Sequence, residues 1–205
     1  MTLSHVFLLS PARCDGKRAM ILLNPHAPFP LAVKLREENG AEIGEVFSFM
    51  SGLYFRGKLA YARAFSDSTR YNSSVFVITT DRGLVTPEMR VRRDDLEAFG
   101  GVDLAEADER YHAPLRRDVL RLAGELGAST LVVLLGSIAT GKYVDTLLEV
   151  LGERLVFPRD FVGRGDMSRG GLLLRRAREA RELEYISVAG AERHGKRPPK
   201  LEPVR

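Results

Sequence analysis

The residues best suited by type and spacing to chemistry lie at positions 130 to 142, T-L-V-V-L-L-G-S-I-A-T-G-K. An apolar, β-branched run breaks at Gly136 and closes on Gly141 and Lys142 before an amphipathic stretch, which is the strand, Gly-x-x-x-x-Gly-Lys loop and helix order of a phosphate-binding loop. Successive amides of a glycine-rich turn can face an anion, a following helix N-terminus adds partial positive charge, and Lys142 adds a full one. Gly136, Ser137, Gly141 and Lys142 are therefore candidate phosphate ligands. Tyr143 stands where a nucleotide hydrolase needs a Ser or Thr hydroxyl on magnesium. Downstream, only 155–157 and 185–188 remain as strand candidates, too few for a hydrolase core. The choice at this loop lies between anion binding and a tight strand-to-helix turn.

Three other segments offer reactive or charged groups. S-P-A-R-C-D-G-K-R, Ser10 to Arg18, brings a hydroxyl, a thiol, a carboxylate and three cations into one loop. Ser10 can donate to a phosphate oxygen, and Arg13, Lys17 and Arg18 can neutralise or grip one. Cys14 becomes a nucleophile only if those cations favour its thiolate. F-V-G-R-G-D-M-S-R-G-G-L, Phe161 to Leu172, combines Gly163, Gly165, Gly170 and Gly171 with Arg164 and Arg169, and Asp166 and Ser168 can cap a following helix. Such a loop can form an amide nest for phosphate with the arginines above it, or a plain connector with its arginines in water. In F-V-I-T-T-D-R-G-L-V-T-P, Phe76 to Pro87, Asp81 has the position of a general base, but the adjacent Arg82 is expected to lower its pKa. Aromatics and cations also mix between Phe49 and Arg63. Tyr54 and Phe55 could stack on a base there, although their helical spacing fits a core stripe better.

The elements that must carry these loops are strands at 5–9, 45–49, 75–80, 130–135, 155–157 and 185–188. Helices are predicted at 52–65, from Pro114 through Leu126, at 143–151 and at 171–181. Alternating strands and helices define an α/β fold, a mixed or mainly parallel sheet flanked by helices. Ligands in such sheets sit beyond the carboxyl ends of the strands. That rule selects loops 10–18, 80–87, 136–142 and 158–170 as the candidate site. Residues 1–192 are expected to form a single domain, and 193–205 a basic, Pro-rich mobile tail.

The 205 residues are 44% hydrophobic and 28% charged, with a net charge of +4. The chain has 31 Lys/Arg and 27 Asp/Glu; from Arg164 onward the counts are eleven and six, leaving twenty against twenty-one before it. The basicity is C-terminal and suggests a polyanionic partner, unless it is simply a solvated helix face and tail. No apolar run approaches the roughly 20 residues that span a bilayer. The N-terminus reads as a first strand without a basic leader, and Cys14 is the one cysteine, which together fit a cytoplasmic location. Four scattered histidines lack zinc-site spacing, so neither a metal nor another cofactor is expected.

The order of L-L-S-P-A-R at Leu8 to Arg13, I-T-T-D-R-G-L-V-T-P at Ile78 to Pro87 and D-M-S-R-G-G-L at Asp166 to Leu172 resembles the YaaA family of peroxide-stress proteins and related small α/β proteins. That family opens with a strand into Ser-Pro-Ala-Lys, carries Ser-Gly-Leu-Tyr-Gly-Leu-Leu-x-Pro after a middle strand, and has Lys-Arg-Ala-Arg-Gly-Leu at a late helix start. The resemblance implies an intracellular DNA-binding protein with a basic cleft, active in the oxidative stress response, and puts Ser10, Arg13, Gly83 and Arg169 in or beside that cleft. The expected partner is nucleic acid, DNA before RNA, or a phosphorylated small molecule. The alternative is an enzyme that handles a nucleotide or nucleobase and holds its phosphate on Gly136–Lys142. No carboxylate pair or base–nucleophile set is specific enough in the sequence to name a reaction.

Overall fold

The structure, a computed structural model, describes residues 4–66, 73–102, 109–127, 129–139, 141, 143–193, 195–199 and 201. In chain order it forms β1 (Ser4–Leu9), α1 (Lys17–Leu23), α2 (Pro30–Arg36), β2 (Ala41–Glu42), α3 (Ile43–Ser51), α4 (Leu53–Phe65) and β3 (Val75–Ile78). There follow β4 (Leu84–Val85), β5 (Arg90–Val91), α5 (Arg93–Gly100), α6 (Glu109–Glu125), β6 (Thr130–Leu135), α7 (Val144–Leu151), β7 (Leu155–Pro158), α8 (Asp166–Arg178) and β8 (Tyr185–Ser187).

Six strands make one sheet in the order β4-β3-β1-β6-β7-β8, and β2 pairs with β5 in a small antiparallel ladder. β1 is parallel to both neighbours, pairing Phe7 with Val75 of β3 and running from Ser4 opposite Thr130 to Leu9 opposite Leu135 of β6. Only the edge strands β4 and β8 are antiparallel. This is the α/β fold that the alternating pattern predicts. Val6 to Leu9 and Val132 to Leu135 are all fully buried, as continuous apolar runs require when both faces of a strand are covered. Helix α4 packs on α8, α3 and β1, while α6 packs on α7 and β4, and the apolar side chains merge into one core.

The chain leaves β1 toward β3 on one side and returns to β6 on the other, so the carboxyl ends of β1 and β6 flank a topological switch point. Their loops diverge there and leave a crevice.

Three predicted elements change. Residues 45–49 are not a strand but the middle of α3, because Ile43, Val46, Phe47 and Met50 recur at helical spacing and are the side chains it buries. The helix predicted to start at Pro114 begins at Glu109 and carries the proline inside it. The helix expected at 171–181 is α8, which begins at Asp166 and draws in Gly170 and Gly171 from the expected loop. Helices α1, α2 and α5, seven or eight residues each, were too short for their periodicity to stand out.

Candidate functional site

A cavity of about 1060 Å³ opens at the switch point. The loop after β1, Ser10 to Arg18, forms much of its wall, with Met50, Ser51, Tyr54 and Lys58 from the α3–α4 unit, Thr80, Phe99, Gly100, Val102, Ser137, Tyr143 and Asp166 completing it. Its most unusual member is Lys58, a lysine with 1% of its surface exposed. Lys58 Nζ lies 2.7 Å from the Ser10 carbonyl oxygen and 2.9 Å from Ser10 Oγ. The rings of Tyr54 and Phe55 flank it, with centroids 4.5 and 4.8 Å from Nζ. Burial pulls the Lys58 pKa down from 10.5 to about 7, against the opposing charge of Asp166 and with a smaller push from Arg169. Near neutral pH, Lys58 is therefore divided between ammonium and free amine.

The local sequence explains the placement. Tyr54, Lys58, Tyr61 and Ala62 share one stripe of α4, and all four are buried. That helix comes very close to α8: a Cβ on Gly57 would stand 2.6 Å from the Gly170 carbonyl oxygen, and one on Gly170 2.7 Å from the Leu53 carbonyl oxygen. Gly136 has a similar part, since a Cβ there would stand 2.7 Å from the Tyr143 hydroxyl and 2.9 Å from Ser10 Cβ. Its missing side chain lets β1 and the start of α7 meet over the cavity floor. The Tyr143 hydroxyl donates to the Ser137 carbonyl at 2.9 Å. Burial raises the Tyr143 pKa, partly offset by hydrogen bonds with Ser10 and Ser137. The Tyr54 hydroxyl is buried; burial raises its pKa, and the charge and hydrogen-bonding reach of Arg169 partly offset this.

The structure gathers some of the sequence candidates here and sends others elsewhere. Ser10 and Ser137 line the cavity, as do Arg13 and Lys17. Arg13 is 83% exposed and forms a bidentate pair with Asp15 at 2.7 and 3.0 Å. Arg18 also lines the wall, with Nη1 donating to the Phe49 carbonyl at 3.2 Å. Ser137 Oγ accepts from the Ala139 amide, so that amide turns into the loop instead of toward an anion. Gly141 lies against the Asp145 carboxylate, and Lys142 is outside the described residues.

Gly83 belongs to a different contact. It has a φ of +71° and packs against the Pro114 carbonyl and the Asp118 carboxylate, whose oxygen accepts from the Leu84 amide at 3.0 Å. Arg164 and Ser168 bond each other at 3.2 Å and line a second cavity of about 310 Å³ with Arg197, Pro198, Pro199 and Leu201. Arg169 turns inward: its Nε and Nη2 donate to the Phe161 carbonyl at 3.2 and 3.0 Å, and its guanidinium lies over the Phe161 ring. Gly170 serves helix packing and not an open amide nest.

Two chemical expectations also change. Burial, then the charges of Asp15 and Asp81, pushes the Cys14 thiol up to about 12, so the neighbouring cations do not create a thiolate. Burial raises the Asp81 pKa more than Arg82 lowers it. Sequence reasoning missed Lys58 altogether. The available signal was a lysine set at helical spacing between Tyr54 and Tyr61 on an otherwise apolar stripe.

Among the described residues no group of three His, Cys, Asp or Glu side chains could hold a metal ion, and no helix is long and apolar enough to cross a membrane. In comparisons with known proteins, the chain matches no family model, no curated protein and no solved structure.

Proposed function

We propose that the protein binds nucleic acid, DNA in first place, through phosphates held at the mouth of the switch-point cavity. The carrying observation is that Arg13, Lys17 and Arg18 line one wall of a cavity large enough for a nucleotide unit. Asp15 neutralises part of this charge, which leaves Lys17 and Arg18 as the main phosphate contacts. The resemblance to the YaaA family supports DNA as the polymer and protection under oxidative stress as the setting. Phosphate binding of this kind releases counterions and weakens as salt rises. Fluorescence anisotropy with a short duplex and a single strand across a salt series tests it. Lys17→Ala should lower affinity and reduce the salt slope by about one. Failure of both probes to bind at low salt would end the reading.

The buried amine at the cavity floor favours a second reading, an enzyme acting on a nucleotide or nucleobase with phosphate on the Gly136–Lys142 loop. A ligand that binds only the folded state raises apparent stability. A thermal-shift screen of nucleotides with and without magnesium would then give a hit that Lys142→Ala removes. A flat screen alongside tight DNA binding would reject this second reading.

A further inference from the structure

We infer that Ser10 is a nucleophile and Lys58 its proton acceptor, so that the cavity floor is a serine–lysine acyl-transfer centre acting on a carboxylic ester or amide. The hydrogen-bond inventory of a neutral lysine fits the site. As the ammonium, Lys58 donates to both the Ser10 carbonyl at 2.7 Å and Ser10 Oγ at 2.9 Å. As the free amine it keeps an N–H for the carbonyl and turns its lone pair to Oγ, where it can receive the Ser10 proton across that 2.9 Å. That is the nucleophile–base distance that acyl transfer requires. Both groups line the cavity, so a carbonyl carbon entering from the open side meets Ser10 Oγ. Burial lowers the Lys58 pKa to about 7, so free amine is present near neutral pH to act as the proton acceptor.

In the first step the Ser10 proton passes to Lys58 Nζ, Oγ bonds to the acyl carbon, and the carbonyl electron pair moves onto oxygen. Collapse of this intermediate breaks the bond to the alcohol or amine leaving group, which takes its proton from the Lys58 ammonium and leaves acyl-Ser10. Water then gives a proton to Lys58 and attacks the acyl carbon. Collapse expels Ser10 Oγ, which recovers the proton, and releases the carboxylic acid. Tyr54 lines the same cavity, and its buried hydroxyl, beside Arg169, is the donor assigned to the carbonyl oxygen.

The inference does not rest on nucleic-acid binding and is tested without nucleic acid. The intact protein is treated with a fluorophosphonate and, separately, with 4-nitrophenyl acetate, and adducts are located by peptide mass spectrometry. The expected result is a single adduct on Ser10, with a labelling rate that rises through a midpoint at about 7, the Lys58 value set by burial with Asp166, Arg169 and Tyr54 around it. Ser10→Ala should abolish the adduct, and Lys58→Met should slow it at least ~100-fold. Because removing Lys58 can disturb folding, the pH profile of the unaltered protein stands as an independent readout. Absence of a Ser10 adduct in the folded protein, a rate with no step near neutral pH, or wild-type labelling by a folded Lys58→Met variant would each overturn the assignment.

Discussion

Lys58 is a buried cation and Arg169 a partly buried one, and they meet burial differently. The lysine lowers its pKa and shares two oxygens of Ser10. The arginine fork donates to the Phe161 carbonyl and lies over the Phe161 ring. For Lys58 the linkage has a definite sign. Its folded pKa of about 7 lies below the unfolded 10.5, so between these values the unfolded chain binds the extra proton and stability rises with pH; below 7 the cost of burying the charge is fully present. Lys58→Met removes that cost. In urea titrations its stability relative to wild type should therefore be most favourable below pH 7 and decline steadily as pH rises toward 10.5. A difference that does not change with pH would show that Lys58 is not buried as a titrating group. Arg169→Ala should cost about 1.5–3 kcal/mol of folding stability, the usual contribution of a hydrogen bond from a charged group. It should leave the salt slope of nucleic-acid binding unchanged. Anisotropy and thermal melting on one sample separate this outcome from a phosphate contact, which would lower affinity and slope in a protein of unchanged stability.

The critical contact between elements is the crossing of α4 and α8. Gly57 and Gly170 remove the side chains that would hold the two backbones apart, and the crossing fixes Lys58 and Tyr54 on one helix relative to Asp166 and Arg169 on the other. Alanine at Gly170 would bring its Cβ within 2.7 Å of both the Leu53 carbonyl oxygen and Tyr54 Cα, backbone atoms that cannot swing aside. Overpacking of this kind costs about 1–3 kcal/mol, more than the roughly 1 kcal/mol that Gly to Ala gains by helix propensity, so Gly170→Ala should destabilise. Gly124, within α6, has nothing within 4 Å of its added Cβ. Gly124→Ala should stabilise by up to ~1 kcal/mol. Denaturant unfolding of the pair checks the argument, because the same chemical change should give opposite signs. At the far end of β1, the Tyr61 hydroxyl accepts from the Leu183 amide and shares a 2.8 Å bond with Tyr185, tying α4 to the β8 edge.

At the scale of the whole molecule, several of the described cations behind the net charge of +4 are engaged in internal contacts. Arg164 turns to Ser168 and the Pro199 carbonyl, and Arg176 pairs with Glu179 at 3.0 Å. The C-terminal segment runs back along the fold, with Gly195 against Val162 and Lys196 against Gly163. Several C-terminal cations thus take part in internal contacts, and the cations on the cavity wall come from the loop after β1. The nucleic-acid reading consequently depends on Lys17 and Arg18 more than on the count of charges after Arg164.

The sequence alone determined the α/β class and the central strands, because unbroken apolar runs such as Thr130–Leu135 can be satisfied only between two covering layers. It also pointed to the loops after β1 and β6, since ligand crevices in such sheets lie at strand carboxyl ends. Short apolar runs hid the helical state of 43–51, where local pattern fits either state and the contacts of Val46 and Phe47 in the core decide. Glycine types were visible, but their purposes were not: Gly136 makes room for Tyr143 and Ser10, and Gly170 makes room for α4, distances set by segments remote in the chain. The pairing of Ser10 with Lys58 spans 48 residues and was likewise beyond any local motif. Only the tertiary structure could bring them together, because the low-polarity enclosure that lowers the Lys58 pKa is built by α4, α8 and the end of β1 at once.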